Sequence, residues 1–158
     1  MYVPAHFAEP DPGTLHEFID GHPFGLLVSH HDGRPFATHL PFLLDRSAWP
    51  SGTLFGHVAR QNPQWQELAG QPVLAVIHGP HAYISPTWYQ SDRTVPTWNY
   101  VAVHAYGTAR LIEDPDELVA LVRELTRVSE QTMPTPWTFD PADPFVRKLA
   151  TQIVGFRI

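Results

Sequence analysis

GPHAYISPTWYQSDRTVPTWNYVAVH, residues Gly79 to His104, gathers Trp88, Trp98, Tyr83, Tyr89 and Tyr100 into one stretch with His81, His104 and three prolines. Aromatic and polar groups at that density are unusual for a plain core. Tyr83, Ser85 and Thr87 alternate with Ile84 and Pro86, Gln90 to Thr94 reads as a turn, and Trp98 to Gly107 resumes a β-rich run. The pattern is therefore strand, aromatic turn, strand. Pro86 and Pro96 fall at strand ends, where a missing N–H costs least. Such a segment builds a flat, hydrogen-bonding wall that lies either against a planar ligand or against another chain.

The composition around that wall narrows the choices. At 158 residues the chain is expected to form one domain, long enough to bury roughly two thirds of its unfolded surface. It has no cysteine, so disulfides, thiolate metal sites and cysteine nucleophiles are excluded. No stretch approaches the ~20 apolar residues that cross a bilayer, and MYVPAHFAEPDP lacks the basic and apolar regions of a secretion signal. A cytoplasmic protein is expected. A net charge of −6 with only ten Lys plus Arg speaks against direct nucleic-acid binding, which rests on many cationic contacts to phosphate.

Before the wall, Asp11-Pro12 opens a short amphipathic helix that Gly21 ends, with Leu15, Phe18 and Ile19 at helical spacing. Strands follow at Phe24 to Ser29 and Phe36 to Leu44 around a turn at His31 to Arg34, and a third at Thr53 to Ala59. His30 and His31 belong to a solvated turn in this reading. In Ala37 to Phe42, Thr38 and Leu40 face away from His39, so one imidazole is presented on one side. Asn62-Pro63 starts a helix to Ala69. Arg60 beside that helix start places a forked cation next to free N–H groups, a seat suited to phosphate. Pro72 to Ile77 is a fourth strand.

After the wall, a long strand is expected from Trp98 as far as Ile112. Asp114-Pro115-Asp116-Glu117 is the clearest helix start in the chain, with Leu118, Leu121, Val122 and Leu125 forming one stripe to about Glu130. A proline-rich loop, a small helix from Asp143-Pro144 to Ala150 and a strand from Ile153 to Ile158 complete the order. Six or seven strands with short helices indicate an α+β, mainly β, barrel-like domain. His78, His81 and His104 lack the helical spacing of a zinc site, and no metal site is expected from them. Dinucleotide, Walker and GxSxG fingerprints are absent.

With these pieces placed, the chain resembles the PaiB family of FMN-binding negative transcriptional regulators, within the FMN-binding split-barrel superfamily. The resemblance rests on MYVPAHF (1–7), ATHLPF (37–42), GHVARQNPQW (56–65), GPHAYISPTWY (79–89), VPTWNYVAVHAYG (95–107) and IVGFRI (153–158), in the family's order. It implies a six-stranded split barrel with peripheral helices, a homodimer, and FMN at the dimer interface. Family members usually continue past the IVGF strand into a segment ending in a Lys-Leu-Ser-Gln-Asn-Arg-like motif. This chain stops at Ile158, which leaves contacts from such a tail outside the expectation.

Carried onto this sequence, the superfamily's logic assigns the flavin phosphate and ribityl chain to His57, Arg60 and Asn62. It runs Thr38, His39, Leu40 and Pro41 along the isoalloxazine edge, and makes Trp88, Trp98, Asn99 and Tyr100 the dimer wall. The bland readings are that Asn62 only caps its helix, that Arg60 pairs with a surface carboxylate, and that the aromatics pack a core. No residue is an obvious acid or base for a defined substrate, so a flavin-dependent redox protein or a sensor is expected. A second reading is heme b, because relatives in the wider superfamily bind or degrade heme and heme-dependent piperazate synthases look similar; His57 or His39 is then the axial ligand. A third is a cofactor-free dimeric module. The regulator label comes from the family name, since the acidic balance and the lack of a helix-turn-helix give it no physical support.

Overall fold

The computed structural model describes residues 1–48, 50–91 and 93–158. Asp92, inside the turn expected at Gln90 to Thr94, lies outside them. Helix α1 spans Pro12–Gly21, its start capped by the Asp11 carboxylate, which accepts from the Thr14 N–H at 2.9 Å. Strands β1 (Phe24–His31) and β2 (Arg34–Pro41) form a hairpin closed by Asp32 and Gly33, with φ of 51° and 67°. Positive φ at both turn residues matches the twist of a two-residue hairpin, which Asp-Gly supplies at little cost. β3 (Leu43–Asp45), β4 (Thr53–Ala59), β5 (Pro72–Ile84), β6 (Thr97–Thr108) and β7 (Arg110–Ile112) follow, then α2 (Pro115–Glu130), α3 (Pro144–Ala150) and β8 (Ile153–Arg157).

The strands make two antiparallel sheets, ordered β2-β1-β5-β6 and β3-β4-β8-β7. The six or seven strands expected thus become eight among the described residues. Two of the expected runs break where the chain turns from one sheet into the other, at Phe42 between β2 and β3 and at Ala109 between β6 and β7. Both hinge residues are buried and anchored: the Phe42 N–H donates to Pro23 O at 2.7 Å, and Ala109 exchanges backbone bonds with Gly70 and Gln71. Each sheet's edge is therefore continued by unbroken chain into an edge of the other.

The space between the sheets holds the main core, built around Leu27, Phe42, Leu54, Ile77, Val154 and Phe156. Strand alternation sends these inward, and α1 closes one end, with Phe18 lying against Gly79, where a Cβ would meet its ring at 2.5 Å. A second core forms where Leu118, Val119, Leu121 and Leu125 of α2 pack with Ile112 and Ala150. The Asp114 carboxylate accepts from the Asp116 and Glu117 N–H groups at 3.0 Å, as its sequence position implies.

The helix expected from Pro63 to Ala69 is instead a 3₁₀ turn, Pro63–Glu67. Gly70, at φ 75°, reverses the chain so that Gly70 and Gln71 bond Ala109, which leaves no room for another helical turn. No described helix is long and apolar enough to cross a membrane.

Candidate functional site

β2 is the edge strand of its sheet, paired with β1 on one side only, so a row of its backbone groups is free of any strand ladder. β4 runs beside it in the other sheet. The two are linked through the β3–β4 pairing below Phe42 and diverge above it, forming a seam.

This seam collects most of the residues singled out in the sequence. Thr38 points inward, its hydroxyl donating to Gln64 Oε1 at 2.5 Å and accepting from Asn62 Nδ2 at 2.8 Å. Leu40 is buried against Gly56 of β4. His39 and Pro41 are exposed on the outside, with His39 stacked on Phe24 at 6.2 Å.

On β4, Leu54, Gly56 and Val58 face the core, so Phe55 and His57 face out on the side that α2 and α3 cover. Burial holds His57 below the usual imidazole range, and its Nδ1 is buried without a hydrogen bond. Arg60 ends the strand. Its Nε donates to Thr151 O at 2.9 Å and its Nη2 to Ile153 O at 3.1 Å, which ties β4 to the start of β8. Nη1 lies 3.9 Å from Glu113, and the guanidinium sits over Trp65 at 5.5 Å. Part of this cation thus serves the fold, and Nη1 is the part turned to a carboxylate. Asn62 caps the 3₁₀ turn, accepting from the Gln64 N–H at 3.0 Å.

Sequence reasoning missed Gln64. Its side chain is completely buried, and its Nε2 donates to Leu27 O, Ser29 Oγ and Phe36 O while Oε1 accepts from Thr38. One amide therefore joins β1, β2 and the 3₁₀ turn, and fixes the inner wall of the seam. The available signal was its place directly after the Asn62-Pro63 cap, facing the sheet.

The aromatic wall stands apart from the seam. β5 and β6 continue past β1 as a two-stranded ribbon, with a register shift between His78 and His81 where Gly79-Pro80 makes a bulge. Trp98 packs on Tyr83 at 5.7 Å and near His81 at 6.2 Å, and Trp88 follows in a 3₁₀ turn, Pro86–Trp88. Trp88, Trp98 and Tyr100 are 68%, 59% and 62% exposed, which excludes the core-packing reading for them. Asn99 is exposed beside them. β1 and β5 separate this group from β2, so one chain does not bring Trp98 and Tyr100 to Thr38 and Asn62.

The outer face of the first sheet runs from the seam to the ribbon. β1, β2, β5 and β6 contain none of the chain's 16 acidic residues but six of its ten histidines: His30, His31, His39, His78, His81 and His104. His31, expected in a solvated turn, is half-buried, its Nδ1 3.2 Å from Glu67 Oε1, and Asp32 stands beside the pair. Two grooves lie elsewhere, along α2: one is bounded by Arg123, Arg127, Trp137, Phe139 and Arg147, the other by Leu43, Phe55, Leu121 and Arg157. Within the first, Arg127 is bidentate on Glu124 and Arg147 pairs with Asp116.

Two antiparallel sheets joined by continuous chain at both edges define an α+β class in which solved flavin and heme proteins also fall. The flavocytochrome Anf3 from Azotobacter vinelandii superposes with a TM-score of 0.75 at 16% identity, over 99% of this chain and 68% of its own. The FAD and heme binding protein from Mycobacterium smegmatis does so at 0.67 and 17%, over 92% and 64%. In sequence, the chain is 38% identical over 160 residues to "Protease synthase and sporulation protein PAI 2" of Bacillus subtilis strain 168, covering all of this chain and 76% of that one. The family described as "Putative FMN-binding domain" matches residues 1–158, and the chain belongs to that family, of which its motifs had already marked it as a PaiB-type member.

Proposed function

We propose that the chain is a cytoplasmic flavin-binding split-barrel protein, one domain over residues 1–158, that holds FMN in the seam of one copy against the aromatic ribbon of a second and serves as a redox protein or sensor. The observation that carries this reading is the separation within one chain of the β2–β4 seam from exposed Trp88, Trp98 and Tyr100. Each half is incomplete alone, and a two-fold pair supplies both. The free edge of β2 suits the polar rim of an isoalloxazine, and the ribbon's rings suit its face. His57, with a buried unpartnered nitrogen, and Nη1 of Arg60 are the groups offered to the phosphate. Bound FMN supplies electron or hydride transfer; the chain anchors and orients it.

An absorption spectrum tests the reading. Protein mixed with FMN and freed of excess by gel filtration is expected to keep maxima near ~450 nm and to migrate as a pair. A colourless single-chain species would end the proposal. A second reading, heme b on His57 or His39, is favoured by the imidazole-rich sheet and by the name of the flavocytochrome neighbour; a Soret band near ~400 nm after hemin addition, with no flavin retained, would establish it instead. Arg60→Ala is expected to weaken FMN binding by about 1.5–3 kcal/mol, the range for a charge-assisted contact. Equal affinities by calorimetric titration would remove Arg60 from the site.

A further inference from the structure

The outer face of the first sheet has an electrostatic feature that cofactor binding does not use. Its cross-strand row His39, Leu26, Val76, His104 is apolar in the middle and ends in imidazoles, and His78 and His81 continue the β5 side. From β1, His30 stands on the same side of the sheet as Val28. At the β6 side the Met1 ammonium donates to Tyr106 Oη at 2.9 Å, and Tyr106 packs on His104 at 6.3 Å.

Among the described residues, no carboxylate pairs with His30, His39, His78, His81 or His104. The strands have none. The acids of the amino-terminal segment are engaged at the α1 cap: Asp11 with Thr14, and Glu9 with the Asp11 N–H. His6 stacks on Phe7, and Arg93 adds a further positive charge at the ribbon's turn.

We infer that this face is an acid-sensitive contact between two copies of the chain, closed while His104 is neutral and forced apart once it is protonated. The inference rests on the pairing proposed above and adds its regulation. Imidazole takes up a proton as pH falls through about 6.5. In the face, burial first, then the Met1 ammonium, then His78 hold His104 below its ordinary value. Covering the face with a second copy removes water and brings the same set of positive groups opposite itself, so the neutral form is favoured still more in the pair. The pH dependence follows: a histidine depressed further in the pair leaves pairing at full strength above its value in the single chain, for His104 already below the ordinary imidazole range, and weakens it as pH falls through that value. One His104 from each copy makes the dissociation constant rise by up to about 100-fold for each pH unit below the single-chain value.

The whole-chain charge predicts the opposite trend. With a pI near 5.9, net charge approaches zero as pH falls to that value, which by itself favours association. Separation on acidification therefore reports the local face.

The test is sedimentation equilibrium of the full chain, with and without FMN, between pH 8 and 5.5, alongside near-UV circular dichroism to confirm the fold. The expected result is a pair at pH 8 that weakens toward a folded single chain at the acid end, with the logarithm of the dissociation constant rising by as much as two per pH unit there. In H104Q that slope is expected to drop by as much as two, whatever the variant's absolute affinity. A wild-type slope near zero, a variant slope equal to the wild type's, or separation accompanied by unfolding overturns the inference while leaving the pairing in place. A single chain at every pH overturns both.

Discussion

Replacing Gln64 with Leu is expected to lower the folding free energy by at least about 3 kcal/mol, although the substitution keeps the side chain's size. The loss comes from the partners left behind. Ser29 Oγ, Thr38 Oγ1 and the carbonyls of Leu27 and Phe36 are satisfied by one buried amide, and a buried polar group stripped of its partner costs about 1–3 kcal/mol. For a chain of this length the melting temperature is expected to fall by roughly 6–12 °C. Asn62→Ala, which removes a cap and one bond to Thr38, is expected to cost about 1 kcal/mol. Thermal unfolding of both variants checks the ordering. A Gln64→Leu protein within about 1 kcal/mol of the wild type would show that the amide is dispensable and that the seam is held by packing alone.

Phe156→Ala is the second large effect, expected at about 3–5 kcal/mol. The ring is fully buried and fills the space directly beneath the seam: a Cβ on Gly56 would stand 2.7 Å from Phe156 and 2.9 Å from Leu40, and Phe42 meets the ring edge-on at 6.3 Å. Truncation leaves the seam without its floor. Cofactor retention is expected to fall along with stability, and Phe156→Leu to recover most of both. A cost under about 1.5 kcal/mol in urea unfolding would mean that the core collapses into the gap.

Both effects involve residues that were hard to single out from sequence, and the reason is physical. Local signals were strong where a cap announces itself. Asp11-Pro12 and Asp114-Pro115 gave α1 and α2 to the residue, Thr53 to Ala59 is β4, and Asp143-Pro144 opens α3. Those are contacts within a few residues of one another.

What depends on distant partners was not legible. Nothing around Phe42 or Ala109 marks a hinge; the chain breaks there because Pro23, Gly70 and Gln71, far away in sequence, hold the backbone. The fourth strand reads as Pro72 to Ile77, yet β5 runs on through Pro80 to Ile84, because a bulge tolerates a missing N–H. Gln64 reads as surface, since an uncharged polar side chain is buried only when partners from other elements meet it. For the site, alternation correctly put His39 on the opposite side from Thr38 and Leu40. The inward turn of Thr38, the backbone duty of Arg60 and the distance between seam and ribbon emerged only from the assembled sheets.

The position of β8 has a consequence for how the protein is made. It comes from residues 153–157, some forty positions after β7, yet it lies between β4 and β7 in the middle of its sheet. During synthesis the first sheet can be assembled while the second still lacks its central member, leaving Val58 and Leu111 on either side of an open slot. A nascent chain at that stage exposes two bare strand edges to its neighbours, the arrangement most prone to wrong partners.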